Sequence, residues 1–320
     1  MKTFDEIYEE LQSEDNGEFK EIIEEGRKET NKKNKIVLVL CLIIDAIILK
    51  FAFSMWRIFQ VGAIVFLQPL MTMLGVDFII YAILSVIFSK THRKYAKMYK
   101  EIIIKKLMQN FYGNLEYFPE KQMPNYIYEE PKYLGYYNRY RSEDYMEAVI
   151  NNKYSIQMAE VKTVKEETTT NSKGERSTRT TTIFHGLFAK VIMDKSINGE
   201  LKILRNGSAS FDKKQLRMDS SEFEKYFDVS ASDKILGMRL LTADVMEELI
   251  SFVNKTNMMY DVVLKDNILY LRFRCGSMFE PSNFKKGHLD KETLRKYFYM
   301  LNLTYNLSNK IIKIVEETEI

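Results

Sequence analysis

The chain has 320 residues, enough for about two domains, and 46% of them are hydrophobic against 28% charged, the balance of folded protein. Wholesale disorder is excluded, and a net charge of +3 excludes a nucleic-acid binder recognisable by bulk charge. Cys41 and Cys275 lie far apart and build neither a disulfide framework nor a Cys-based metal site; His92, His185 and His288 are too scattered for a His-rich one.

Residues 1–35 carry a net charge of −4 and read as an amphipathic helical segment. Phe4, Ile7, Tyr8 and Leu11 keep i, i+3, i+4, i+7 spacing, Asp15-Asn16-Gly17 interrupts, and Phe19, Ile22 and Ile23 resume it. Residues 36–89 are then almost unbroken Ile, Leu, Val, Phe, Ala and Met, which predicts a transmembrane hairpin with spans at about 36–56 and 69–89. Pro69 suits the first turn of a helix; a second span starting nearer Val61, with Pro69 as a kink, is the alternative. The apolar run is too long and too far from the start for a signal peptide. Lys32, Lys33 and Lys35 before the first span, and the lysines and arginines after the second, predict a multi-pass protein of the cell membrane with both termini cytoplasmic. Trp56, Phe51, Phe53 and Phe59 would form an aromatic belt on the far side. Asp45 and Asp77 are the intramembrane polar candidates, at depths differing by about 4–5 Å, so the two carboxylates could meet; a protonated pair that fixes helix packing, or a contact with another membrane protein, is the reading preferred over a proton pathway.

Residues 90–113 read as a basic juxtamembrane helix, and the stretch 90–110 alone carries +6. Arg93, Lys94, Lys97, Lys100, Lys105 and Lys106 are the candidates for contact with anionic lipid; Tyr95, Met98, Tyr99, Ile102, Leu107 and Phe111 share its apolar face. Residues 114–141, rich in Tyr and Pro and lacking a period, read as an extended linker, and residues 142–320 as a cytoplasmic α+β domain. Within it, 149–164, 183–193, 201–204 and 226–229 read as strands, and 166–182 as a long polar hairpin loop. A helix follows Thr242, a hairpin turns at Asp266-Asn267, and a long helix follows Asp290. Along the second strand of that hairpin, Leu269, Leu271 and Phe273 are expected inside, with Tyr270, Arg272 and Arg274 in solvent.

Several short motifs are scattered through this second half: Asp144-Tyr145, Phe184-His185-Gly186-Leu187-Phe188, Asn198-Gly199, Phe227-Asp228-Val229, Ser232-Asp233, Leu240-Leu241-Thr242, Val245-Met246 and Met278-Phe279-Glu280-Pro281. With them the arrangement resembles a bacterial integral-membrane family of unknown function, of comparable length, with a helical N-terminal segment, two spans and a soluble C-terminal domain. The chain departs from that pattern at Leu236-Gly237-Met238-Arg239. The resemblance implies an architecture and no catalytic residue.

No P-loop, dinucleotide-type glycine cradle or HExxH is present, and the two Ser-x-x-Lys matches, Ser210 to Lys213 and Ser282 to Lys285, are as many as chance supplies. His185 reads as a hydrogen-bonded structural histidine, His288 as exposed, and Glu280 as a carboxylate holding a loop through backbone N–H groups. No catalytic, cofactor or metal site is expected. The sequence reading is therefore a membrane-anchored, non-enzymatic binding or scaffold module whose partners are the bilayer, an unidentified protein or anionic lipid, and a second copy of the chain. The rival is a membrane-surface enzyme with a site between the sheet and the late helices.

Overall fold

Alternating β-branched and aromatic residues in the second half of the chain fold, in a computed structural model, into one antiparallel sheet. The structure describes all residues except 15–16, 60–66, 88, 171–175, 208–214, 283, 285 and 318–320, and backbone alone at 52, 55–59 and 67–70. The strands are β1 (Gly113–Phe118), β2 (Arg139–Ile150), β3 (Tyr154–Thr170), β4 (Arg176–Ile192), β5 (Glu200–Arg205), β6 (Gln215–Leu216), β7 (Phe227–Ala231), β8 (Tyr260–Lys265) and β9 (Ile268–Phe273). They lie in the order β1-β2-β3-β4-β9-β8-β5-β7-β6. The helices are α1 (Phe4–Ser13), α2 (Glu18–Phe59), α3 (Leu67–Ile87), α4 (Lys90–Tyr99), α5 (Lys105–Gln109), α6 (Asn125–Glu129), α7 (Ser221–Tyr226), α8 (Lys234–Leu240), α9 (Ala243–Thr256) and α10 (Lys291–Glu317), with a π-helical turn at Lys100–Ile104. The class is α+β.

The chain divides into two compact units, one of Met1–Ile7, Lys100–Glu280 and Glu292–Ile320, the other of Tyr8–Tyr99 and Pro281–Lys291. In the first unit, Tyr145, Val161, Phe184, Phe188 and Tyr270 from four strands pack with Met123, Ile127 and Tyr128. Residues 114–141 are thus no linker: they contain most of β1, which pairs with β2, and α6, whose Ile127 and Tyr128 lie in the core. Strands stand closer to the sequence reading, although most of β2 and all of β6 fall outside the stretches read as strand. The run 149–164 turns at Asn151 and Asn152, both left-handed, between β2 and β3. The polar stretch 166–182 is mostly strand, since β3 and β4 stay paired out to Thr170 and Arg176. Among the described residues that ribbon is exposed on both faces beyond Glu166 because Thr, Ser and Glu offer nothing to bury.

In the second unit α2 is one 42-residue helix, so the amphipathic segment after Gly17 and the first apolar run are continuous. Pro69 falls in the first turn of α3, where a missing N–H costs nothing; the alternative start near Val61, the side chains of Trp56 and Phe59, and Ser210 to Lys213 lie outside the described residues. Lys33 sits over the Tyr81 ring and bonds Ser85, and Cys41 meets Asp77, so α2 and α3 run antiparallel with a constant register. The half-buried positions trace one stripe on each helix: Lys33, Val37, Cys41, Ile44, Asp45 and Ile48 on α2, and Met73, Val76, Asp77, Ile80 and Leu84 on α3. Among the described residues no single helix is long and apolar enough to cross a membrane; Met71–Ile87 and Lys90–Gln109, bent by 50°, meet that test only as a pair. The described apolar stretches, 36–51 and 71–87, each stop short of the about 20 residues a span needs. Pro281–Lys291 belongs to this unit as well. Phe284 lies against Gly26, where any Cβ would stand 2.4 Å from its ring, and His288 stacks on Phe19 at 4.2 Å. His288 is therefore buried, not exposed.

Candidate functional site

Buried charge gathers at one place in the first unit. β2 carries a bulge at Asp144 and Tyr145, two residues facing one on β3, and Asp144 takes the left-handed backbone (φ 56°) that Asp tolerates. The bulge re-aims the Asp144 carboxylate into the protein, where it accepts from the Tyr117 hydroxyl and lies 2.8 Å from the Lys100 ammonium. Lys100 opens the π-helical turn, and its Nζ also meets Glu280 at 2.6 Å and Glu143 at 3.4 Å. Lys100 was grouped by sequence with the lipid-facing residues. It is instead 5% exposed, because three carboxylates from β2 and the loop after β9 consume its three donors. Burial lowers the Lys100 ammonium, but Asp144 and Glu280 outweigh this and leave it raised. Burial pushes Asp144 up to about 7 against the opposing pull of Lys100 and Tyr117.

Next to this knot, Glu160 on β3 is buried and accepts from the Met278 N–H at 2.6 Å; burial raises it to about 7. The loop held in this way is strained. Phe279 sits fully buried at φ 60°, unusual for an aromatic residue, packed edge-on against Tyr297, whose hydroxyl donates to the Glu280 carbonyl at 2.7 Å. The Met278-Phe279-Glu280 motif thus reverses its expected roles: Glu160 captures the backbone N–H, and Glu280 pairs with Lys100.

A cavity of about 430 Å³ opens beside these groups, lined by Arg141, Glu143, Glu160, Lys162, His185 and Ser277 among others. His185, on β4, brings Nε2 within 3.2 Å of Glu160 and 3.3 Å of Ser277 Oγ. Hydroxyl and carboxylate thus share one ring nitrogen, whereas a nucleophile relay needs them on opposite nitrogens. Burial and the nearby Lys162 lower His185, so it is neutral at pH 7. The ring is thus a hydrogen-bonded histidine on a strand, beside Gly186. Among the described residues, Glu143, Asp144 and Glu280 are the one group of carboxylates close enough for a metal, and the Lys100 ammonium already lies among them.

A second cavity, of about 760 Å³, lies between α9, α10 and the end of β9, bordered by Phe252, Arg274, Cys275, Lys296 and Tyr299. Burial pushes the Cys275 thiol up to about 11, which leaves it protonated and a poor nucleophile.

The other sequence candidates separate. Arg93, Lys94 and Lys97 are exposed on α4, while Lys105 and Lys106 are half-buried on α5 in the other unit. Asp45 and Asp77 are brought to one stripe, one helical turn apart in register and both near Cys41. Sequence reasoning missed Lys100, Asp144 and Glu160 as a cluster. The only local sign was Asp144 interrupting the alternation of β2.

Residues 182–313, from within β4 to within α10, match the family described as "Protein of unknown function (DUF3137)". The match agrees with the resemblance to an uncharacterised family and spans the motifs from Phe184 to Pro281, leaving Asp144-Tyr145 outside. No curated protein and no solved structure matches the chain.

Proposed function

We propose that the chain is a membrane-anchored, non-enzymatic binding module: α2 and α3 form the two-span anchor, and the α+β unit is presented on the cytoplasmic side to a protein partner. The observation that carries this reading is the inverted polarity of the α2–α3 pair. Its mutual face holds Asp45, Asp77 and Cys41, while Leu38, Leu42, Ile43, Ile47, Phe78, Ile79, Ile83 and Val86 are all more than half exposed. In water such a pair would be inside out. In hydrocarbon the apolar side chains are at home, and the carboxylates, costing about 2.5–3.5 kcal/mol each on insertion scales, are best kept between helices. Helical backbone continues to Phe59 and resumes at Leu67, long enough at about 1.5 Å per residue for both spans.

Binding is favoured over catalysis because the charges at the Lys100 cluster are spent locally: Lys100 on three carboxylates, Glu160 on a backbone N–H. The β3–β4 ribbon, exposed on both faces, offers the most accessible edge for a protein, and Arg93, Lys94 and Lys97 leave anionic lipid as a secondary contact. A homo-oligomer would give Asp45 and Asp77 further partners. Membrane-surface catalysis is the rival, and the 760 Å³ cavity beside Cys275 is the feature that supports it. Extraction separates anchor from soluble unit: the full chain should stay in the membrane pellet through an alkaline carbonate wash and leave it only with detergent. Release by carbonate alone would refute the anchor.

A further inference from the structure

Arg272 was expected in solvent, yet it is 4% exposed. Both faces of β9 are covered, and the guanidinium lies over the rings of Phe184 at 4.7 Å and Tyr133 at 5.0 Å. One nitrogen, Nη2, pairs with Asp261 across the strands at 3.0 Å. Its Nε and Nη1 are buried and have no partner among the described residues, nor has Nε of Arg274, two residues further on. Unmet guanidinium donors in a protein interior are costly, so a structure that keeps three close together has a use for them or fills the space with water.

The space is there. A cavity of about 360 Å³ is bordered by Arg272, Arg274, Arg205, Asp261, Tyr133 and Thr182 among others. Two guanidinium groups, those of Arg272 and Arg274, stand beside a single carboxylate, and Asp261 is already engaged twice, by Arg272 and by the Arg205 backbone N–H at 3.1 Å. The excess is one positive charge. Burial and the adjacent Arg272 push Arg274 below its ordinary value, which an anion in the cavity would relieve.

The geometry points to a binding site for a phosphate monoester in this cavity, its head held by Nε and Nη1 of Arg272 and Nε of Arg274, whose Nη1 already donates to the Ile183 carbonyl at 2.8 Å. An anion answers the net positive charge, tetrahedral oxygens match three donors spread over two fork-shaped groups, and the volume admits a head group with a small polar body. The site stands on unit-one residues alone and holds whether or not α2 and α3 cross a membrane.

The test is a titration of inorganic phosphate into the full chain in a neutral detergent, at constant ionic strength set with chloride, read by calorimetry and by the thermal midpoint. The wild type should bind saturably with Kd on the order of 1 mM or tighter. Arg274→Gln, at a half-buried position, should keep the fold and weaken binding at least tenfold, and Arg274→Lys should recover part of it; Arg272→Gln should abolish binding if it folds. Glycerol phosphate in solution and phosphatidic acid in nanodiscs separate the two sources of such a group: dependence on Arg274 in either supports the site and names its origin. Phosphate acting no differently from matched chloride, or equally on wild type and Arg274→Gln, would overturn the site and leave a water-filled cavity.

Discussion

Lys100 illustrates how a single side chain changes meaning with its surroundings. In sequence it is one of seven positive charges between residues 90 and 110; in the fold it is the buried counter-ion of Asp144 and Glu280. Lys100→Met should destabilise the chain by about 3–5 kcal/mol, because it strands carboxylates in a low-dielectric interior. Adding Asp144→Asn should recover part of that loss in a urea-unfolding cycle; a single-mutant effect below about 1 kcal/mol would mean that water screens the cluster. Glu160 makes a prediction in pH. Its folded value is about 7 against about 4.3 in an unfolded chain, so between those limits the folded state holds the extra proton. The stability so contributed is complete below about pH 4 and is lost as pH rises through 7, a swing of about 3–4 kcal/mol. Glu160→Gln keeps an oxygen for the Met278 N–H and should flatten this part of the profile between pH 5 and 8. A slope unchanged in the variant would assign the titration elsewhere, Asp144 being the neighbour also raised to about 7.

Elements separate what patterning reveals from what it hides. The β8–β9 hairpin at Asp266, the helix after Thr242 and the helix after Asp290 stand where turn chemistry and period place them, since each is decided by neighbours in sequence. β1 and α6 did not announce themselves: their Tyr and Pro residues have no period, and they are ordered only by packing on β2, β3 and β4, distant in sequence. The same applies to β9, whose Arg272 reads as solvent-facing until Phe184 and Tyr133 cover it. Gly186 is a third case, legible as a motif and explained only by β9, because a Cβ there would stand 1.9 Å from the Phe273 carbonyl oxygen. Gly186→Ala should therefore cost about 3 kcal/mol, as overpacking against backbone that cannot yield; a thermal midpoint within error of wild type would contradict that contact. By contrast, removing Thr168–Ser177 from the ribbon should leave the midpoint nearly unchanged, since the described side chains of that stretch, at 168–170 and 176–177, are exposed and closure entropy depends only logarithmically on length. Loss of the fold would show that the ribbon packs on something the exposed faces do not reveal.

At the scale of the whole molecule, the two compact units do not follow the sequence partition. Met1–Ile7 belongs with the sheet, where Phe4 packs on Phe298 and Lys2 N–H bonds Asn110, and Pro281–Lys291 belongs with the long helices. A fragment of residues 142–320, the domain expected from sequence, lacks β1, α6 and Lys100; it should expose Phe184 and Phe188 and fail to unfold cooperatively. A cooperative transition from that fragment would show that those elements are dispensable. The apolar pattern of residues 36–89 is legible without tertiary context, whereas the charge knot is not, because its members come from residues 100, 144 and 280. The anchor carries the account of what the protein is for, and topology tests it most directly. Reporter fusions after Lys20, Ile64 and Met300 in a cell should read cytoplasmic, external and cytoplasmic in turn. A cytoplasmic reading at all three would contradict the anchor, and an external reading at Met300 would contradict the side on which the α+β unit is placed.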